Sequence, residues 1–312
     1  MTRKLVRFDW ALKRLLRNKA NFDVLEGFLS ELLREDVRIK QILESKGNKE
    51  TWDDEFNRVD ILVENEKGEL VIVEIQNTRE ADYFQRMLYG TAKVITEHMT
   101  EGQPYAEVKK VYSVNIVYFD LGQGDDYVYH GTTHFIGLHS HTELALSARQ
   151  REMFQKTTVS ELYPEYYIIK TNRFDEVARD TLDEWIYFLK TAEIKEEFTA
   201  KGLKAASQKL DVLKLDPADR KAYERYLEAQ RDEASFALTV RAEVEAAVQE
   251  ALQEAVQGAV QEAVQEAVAQ EKGQIAEQAL REGATVQFVA RITGLSLQEV
   301  QAIADKLKSG GP

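Results

Sequence analysis

The chain has 312 residues, 44% of them hydrophobic, which is enough for one catalytic-size domain with a buried core and further elements beside it. Cysteine is absent, which excludes disulfides and thiolate metal sites and fits a reducing cytoplasm. A formal net charge of −13 argues against broad nonspecific nucleic-acid binding, which is mostly phosphate neutralisation. The charge is uneven: residues 1–20 hold seven basic side chains against Asp9 alone, and residues 241–272 hold seven Glu against Arg241 and Lys272. The basic start has no long apolar run and no small-residue cleavage site. Neither a signal peptide nor a membrane span is expected, and the protein is expected to be cytoplasmic.

Residues 8–18 read as a helix, with Trp10, Leu12, Leu15 and Leu16 set against Lys13, Arg14 and Arg17. Asn21 is placed to cap a second helix with the apolar stripe Phe22, Leu25, Phe28, Leu29, Leu32 and Leu33. Val37 to Leu43 is expected as a first, irregular strand, and residues 44–57 as a polar loop.

Arg58 to Gln76 organises the rest. Two β-branched and apolar runs flank Glu66-Lys67-Gly68, a three-residue hairpin loop with Gly last, where a positive φ is needed. Asn65 then pairs with Glu69, which sets Asp60 opposite Glu74 and Arg58 opposite Gln76. With a side-chain period of two, one face reads Val59, Ile61, Val63, Val71, Val73 and Ile75. The other carries Arg58, Asp60, Leu62, Leu70, Ile72, Glu74 and Gln76. Two carboxylates directly opposite on one face repel each other. A divalent cation with oxygen ligands is the simplest compensation; a solvated, exposed hairpin is the plain alternative.

Asn77 to Glu80 has the polar character of a helix start, after which Tyr83, Phe84, Met87, Leu88, Thr91, Val94 and Ile95 recur at helical spacing. Arg86 and Tyr89 lie three apart, on one face. Arg86 suits a phosphate oxyanion, or equally an ion pair with a surface acid. Val111 to Phe119 is the clearest buried strand, and Tyr127 to Ile136 reads as an added one. His130, His134, His139 and His141 cluster here, but their spacing matches no recognised metal site, which favours a surface strand and loop.

Residues 199–240 read as connecting helices broken near Asp216-Pro217. From Val244 to Val268 an apolar residue recurs every four, mostly in the unit A-V-Q-E. A period of four exceeds 3.6, so the stripe winds around a helix instead of holding one coiled-coil seam. A right-handed assembly and a frayed acidic linker are both open. Val286, Val289 and Ile292, then Thr293-Gly294-Leu295-Ser296, then Val300, Ile303 and Leu307 read as helix, turn and helix. The second of these helices carries Gln298, Glu299, Gln301 and Asp305, a poor DNA-reading face, so packing or partner binding is favoured.

Asp, a gap, then Glu-x-Lys is the signature of the PD-(D/E)xK nucleases, and the hairpin resembles it with Gln76 in the lysine's place. The closer resemblance is to the Rpn branch, recombination-promoting nucleases also described as PD-(D/E)xK family transposases. Arg58-Val59-Asp60-Ile61 and Glu74-Ile75-Gln76 resemble its R-x-D-I and E-I-Q. Asp9 to Lys13 resembles its D-x-x-F-K, with Leu12 replacing the aromatic, and Arg86 to Tyr89 its R-x-x-Y. Tyr163-Pro164-Glu165-Tyr166 and Asp180 to Trp185 resemble its Y-P-x-Y and D-x-L-x-E-W. The resemblance covers roughly residues 5–198.

It implies an α/β, restriction-endonuclease-like αβββαβ core with a mixed sheet and an α-helical C-terminal extension. It also implies Mg²⁺- or Mn²⁺-dependent hydrolysis of DNA phosphodiesters in a bacterial recombination, mobile-element or phage-defence setting. Asp60, Glu74 and Gln76 are the implied catalytic residues, and Asp60, Glu74 and the Ile75 carbonyl the metal ligands. Lys13, Arg58, Arg86 and Tyr89 would contact DNA, with Asp9 a possible further site residue. Neutral Gln76 can only orient water by hydrogen bonds, where lysine would bring charge. The expected divisions are a nuclease-like domain at 1–198, a helical connector at 199–240, the repeat helix at 241–272 and a helix-turn-helix-like module at 273–312. The C-terminal helices are expected to form a homo-oligomer. A non-catalytic oligomerising or regulatory protein on a degenerate nuclease fold is the alternative, favoured by the acidic balance, Gln76 and the repeat.

Overall fold

The structure, a computed structural model, describes residues 5–43 and 60–309. Two compact units divide between Leu227 and Glu228.

In the first unit, α1 (Phe8–Arg14) and α2 (Phe22–Leu33) precede β1 (Ile39–Leu43), β2 (Ile61–Asn65), β3 (Leu70–Gln76), α3 (Tyr83–Glu97) and β4 (Val111–Val117). Next come β5 (Val128–Gly131), α4 (Ala148–Phe154), β6 (Glu165–Lys170), α5 (Thr181–Thr191) and α6 (Leu203–Lys209). The start of α7 (Pro217–Arg281) closes the unit. The six strands form one mixed sheet in the order β1-β2-β3-β4-β6-β5. β3, β4 and β6 run parallel, and the remaining pairs are antiparallel. The αβββαβ order expected from the sequence is present as α2-β1-β2-β3-α3-β4.

Both faces of the sheet are covered, and the hairpin residues divide between them by parity. Ile61, Val63, Val71, Val73 and Ile75 face the main core of α1, α2, α5 and α6. Leu62, Leu70 and Ile72 meet Val94 of α3 on the other side. Covering both faces is what makes the central strands almost wholly apolar. The hairpin turns at Gly68, whose φ of +78° takes the left-handed conformation glycine adopts most easily. In the core, Phe8, Phe28, Trp185 and Phe188 pack edge to face or tilted with ring centroids 5.6–6.1 Å apart. Gly27 of α2 lies against Gly202 at the entry to α6, where an added Cβ would sit 2.5 Å from the Gly202 Cα.

Several boundaries differ from the sequence expectation. Helix α1 stops at Arg14 because the chain turns back through Leu16, whose N–H returns to the Ala11 carbonyl. Asn21 precedes α2, but its side chain donates to the Leu15 carbonyl instead of capping the helix. Tyr-Pro-Glu-Tyr opens β6, which inserts between β4 and β5. The compact unit also runs past residue 198, because Leu203, Ala206, Leu210, Leu215 and Tyr223 are buried in the same core. Asp216 accepts the Asp219 N–H and Pro217 takes the first helical position, which fixes the start of α7.

The second unit holds the remainder of α7, then α8 (Val286–Thr293) and α9 (Leu297–Ser309). Ala276, Val289 and Val300 are its buried centre. Gly294 makes the turn between α8 and α9, and Ser296 with Glu299 forms a capping box on α9. Along α7, Val244, Val248, Leu252, Val256, Val260, Val264 and Val268 are 42–62% exposed. Among the described residues no helix is long and apolar enough to cross a membrane.

Candidate active site

The register of the hairpin builds the site. Ile61 pairs with Val73 and Glu64 with Leu70, so continuing one step past β2 brings Asp60 opposite Glu74. The Asp60 carboxylate is held at both oxygens: Oδ2 accepts the Ile75 N–H at 2.8 Å, and Oδ1 lies 3.2 Å from Lys13 Nζ. Arg17 donates to the Asp60 carbonyl at 2.6 Å, so α1 and the turn after it grip this residue from two points.

Glu74 is half-buried near the C-terminal end of β3. Burial pushes its carboxyl up to about 7. Arg86 and Lys13 oppose the rise, whereas Asp60 and Glu80 add to it. Like charge and desolvation thus converge on one carboxyl, the pattern that makes a buried acid a functional candidate. Tyr83 and Asn115 cover the same ground: the parallel register sets Asn115 beside Glu74, and the Tyr83 hydroxyl donates to Asn115 Oδ1 at 3.3 Å. Burial, with Glu74 next in weight, raises the Tyr83 hydroxyl well above its ordinary range, so it stays protonated and a donor.

Gln76 donates through Nε2 to Glu80 Oε1 at 2.6 Å, and Arg86 Nη1 donates to the same oxygen at 2.7 Å. Burial works against the Arg86 charge, but Glu74 and Glu80 more than offset it, so its pKa rises. Glu80 lies ahead of α3, which begins only at Tyr83, and this leaves it free to fold back on Gln76. In sequence, Asn77 to Glu80 reads as a helix start, which hides the role of Glu80. The available signal was an acid four residues beyond Gln76 and six before Arg86. Arg17, Tyr83 and Asn115 were also passed over, because each looks like an ordinary helix or strand residue in isolation.

The other expected site residues are placed as follows. Asp9 is buried and braces three segments: it pairs with Arg7 at 3.5 Å, accepts from Asn77 Nδ2 at 3.1 Å and accepts from the Tyr226 hydroxyl. It shares none of these partners with Asp60 or Glu74. Tyr89 is on α3 and 56% exposed. Arg58 lies outside the described residues. His130 meets Glu165 at 2.8 Å and stacks on Tyr167, while His134 meets Glu143 at 2.7 Å.

The donor chemistry at the strand pair suits a hard cation. Asp60 and Glu74 supply carboxylate oxygens, the Ile75 carbonyl is adjacent in the chain, and a cation would offset the burial, and the lesser Asp60 and Glu80 repulsion, that lift Glu74. Among the described residues no three His, Cys, Asp or Glu side chains are grouped as a metal centre. Magnesium fits such a sparse set, since it commonly keeps several waters.

No curated protein and no solved structure matches the chain. The family model described as PD-(D/E)XK nuclease family transposase, however, matches residues 6–239. That span takes in the whole mixed sheet, the Asp60–Glu74 hairpin and the helices packed on it, and with three quarters of its length so matched the chain belongs to the PD-(D/E)XK nuclease family transposases.

Proposed function

We propose that the chain is a metal-dependent DNA endonuclease that hydrolyses phosphodiester bonds, within the nuclease-like or transposase-associated role its family gives it. The observation that carries this reading is Asp60 opposite Glu74, with Asp60 fixed by the Ile75 N–H and Glu74 lifted by burial beside Asp60 and Glu80. Asp60, Glu74 and the Ile75 carbonyl would hold Mg²⁺ or Mn²⁺. When bound, such an ion lowers the pKa of a coordinated water and neutralises charge at the scissile phosphate.

The chain's own residues supply the rest. The Ile75 N–H and Arg17 fix the position of Asp60. Arg86, oriented by Glu80, offers a planar guanidinium to a phosphate oxygen. Gln76 can align a water but brings no charge. Exposed Tyr89 and, from the sequence, Arg58 would contact DNA beyond the reacting phosphate. Asp9 acts through the α1 brace.

The cytoplasmic setting belongs to the same proposal and rests on the absence of cysteine. A homo-oligomer formed through the exposed α7 stripe is also part of it. The test is plasmid cleavage with and without Mg²⁺ or Mn²⁺, with Asp60→Ala as control. Metal-dependent nicking lost in Asp60→Ala supports the reading. Inactivity of the pure wild-type protein on every DNA form tried leaves the non-catalytic alternative standing.

A further inference from the structure

The wider PD-(D/E)xK signature places a lysine two residues after the Glu, a position that is Gln76 here, as in the E-I-Q pattern this hairpin resembles. Its amide nitrogen is committed to Glu80, as is Arg86. Arg17 is committed to a main-chain carbonyl. Among the described residues, the cation paired with the Asp60 carboxylate itself is Lys13 from α1, at 3.2 Å. We infer that Lys13 supplies the positive charge Gln76 cannot, delivered from the first helix instead of from β3, and that it holds the cation site in competition with the metal. This rests on the reading proposed above.

Three features fit that role. The lysine's base is fixed: Phe8, Trp10, Ala11 and Leu12 of α1 are buried, and the Asp9 brace ties the helix to Asn77 and Tyr226. Its tip is open to solvent: the Lys13 side chain is 55% exposed against 18% for Asp60, so the lysine can leave the pair into water. Its target is the carboxylate that must also face a cation. A lysine resting on Asp60 Oδ1 screens the Asp60–Glu74 repulsion in the free protein and is released toward a phosphate oxygen when substrate arrives.

The test compares Lys13→Met, Lys13→Arg, Gln76→Lys and Lys13→Met/Gln76→Lys with wild type. Single-turnover cleavage at saturating Mg²⁺ is one readout, and Mn²⁺ affinity by calorimetry without DNA is the other. Lys13→Met should lower cleavage about 100-fold, the size of losing one preorganised electrostatic contact. The same change should tighten Mn²⁺ binding about two- to fivefold, by removing an exposed competing pair. Lys13→Arg should keep part of the rate, and the double variant should recover most of what Lys13→Met loses. Cleavage by Lys13→Met within about threefold of wild type, or Mn²⁺ binding unchanged or weaker, overturns the inference. If wild type cleaves nothing, the endonuclease reading fails separately, and the Mn²⁺ comparison still decides whether Lys13 occupies the cation site.

Discussion

In the first unit α1, α2, α3, α5 and α6 each bury a face, whereas the long middle of α7 buries none. In α2, Val24, Leu25, Phe28, Leu29 and Leu32 all lie in the core. From Val244 to Val268, seven apolar residues repeating every four stay 42–62% exposed. The first kind of helix is specified by what it packs against. The second is specified by alanine-, Gln- and Glu-rich propensity and by length, which spreads the cost of nucleation. The family match ends at residue 239, five residues before the stripe begins. The candidate site and nearly all of the family match therefore sit with the packed unit, and the repeat lies beyond them, governed by different forces.

The most severe test of this contrast is at the strand pair. Asp60→Asn and Glu74→Gln should each lower cleavage by about 10³-fold or more, because each removes an oxygen anion facing the reacting phosphate. Both variants should stay folded, since removing like charge at the pair relieves repulsion. Wild-type rates in both would remove the assignment. Next in size is packing. Phe28→Ala should cost about 3–5 kcal/mol, as it empties the centre of the Phe8–Trp185 cluster, and Val256→Ala should change stability by less than about 0.5 kcal/mol. Denaturant unfolding followed by circular dichroism measures both. A loss of about 2 kcal/mol at Val256 would show that the stripe is packed after all, which only a partner could provide.

Glu74 gives a pH signature. Its folded-state pKa, about 7, stands above the ordinary 4.5. Between those values the folded protein holds a proton that the unfolded chain has released, so metal-free stability falls as pH rises from 4.5 toward 7, and the penalty is complete above 7. Its ceiling is about 3 kcal/mol, the size that a carboxyl raised from 4.5 to about 7 implies. Glu74→Gln should therefore match wild type near pH 4 and exceed it at pH 8, in melts run with a chelator. An identical slope in both proteins would mean that Glu74 is well solvated.

The hairpin was legible because three independent signals coincide there: β-branched alternation, a glycine at the one loop position that needs positive φ, and two acids in register. Asn65 does pair with Glu69, its N–H reaching the Glu69 carbonyl at 3.0 Å. What escaped depended on tertiary geometry. β6 was missed because Glu165-Tyr166-Tyr167-Ile168 carries polar and apolar residues without the alternation of a half-exposed strand, and only its position between β4 and β5 makes it one. Glu80 was missed because α3 starts three residues later than its polar approach suggests. The role of Asp9 as a brace needed Asn77 and Tyr226, which lie 68 and 217 residues away and cannot be paired with it by spacing.

The smallest expected effect concerns the stripe itself. Glu250–Glu254 and Glu262–Glu266 are like-charge i,i+4 pairs, each destabilising by a few tenths of a kcal/mol. The described i,i+4 bridges of α7, Arg241–Glu245 and Arg281–Glu277, lie outside that stretch, so nothing local offsets the repulsion there. If copies of the chain meet through the valines, their glutamates are also brought together. Association should then strengthen as salt rises, because screening weakens the repulsion while leaving apolar burial intact. Light scattering from 50 to 500 mM NaCl should show mass per particle rising for wild type. The triple variant Leu252→Gln, Val256→Gln and Val260→Gln should stay at one mass, with helix content little changed because glutamine is a good helix former. A wild-type mass that is constant and monomeric across this range would mean the stripe is wet in solution, held by propensity and length alone, and the homo-oligomer would be withdrawn.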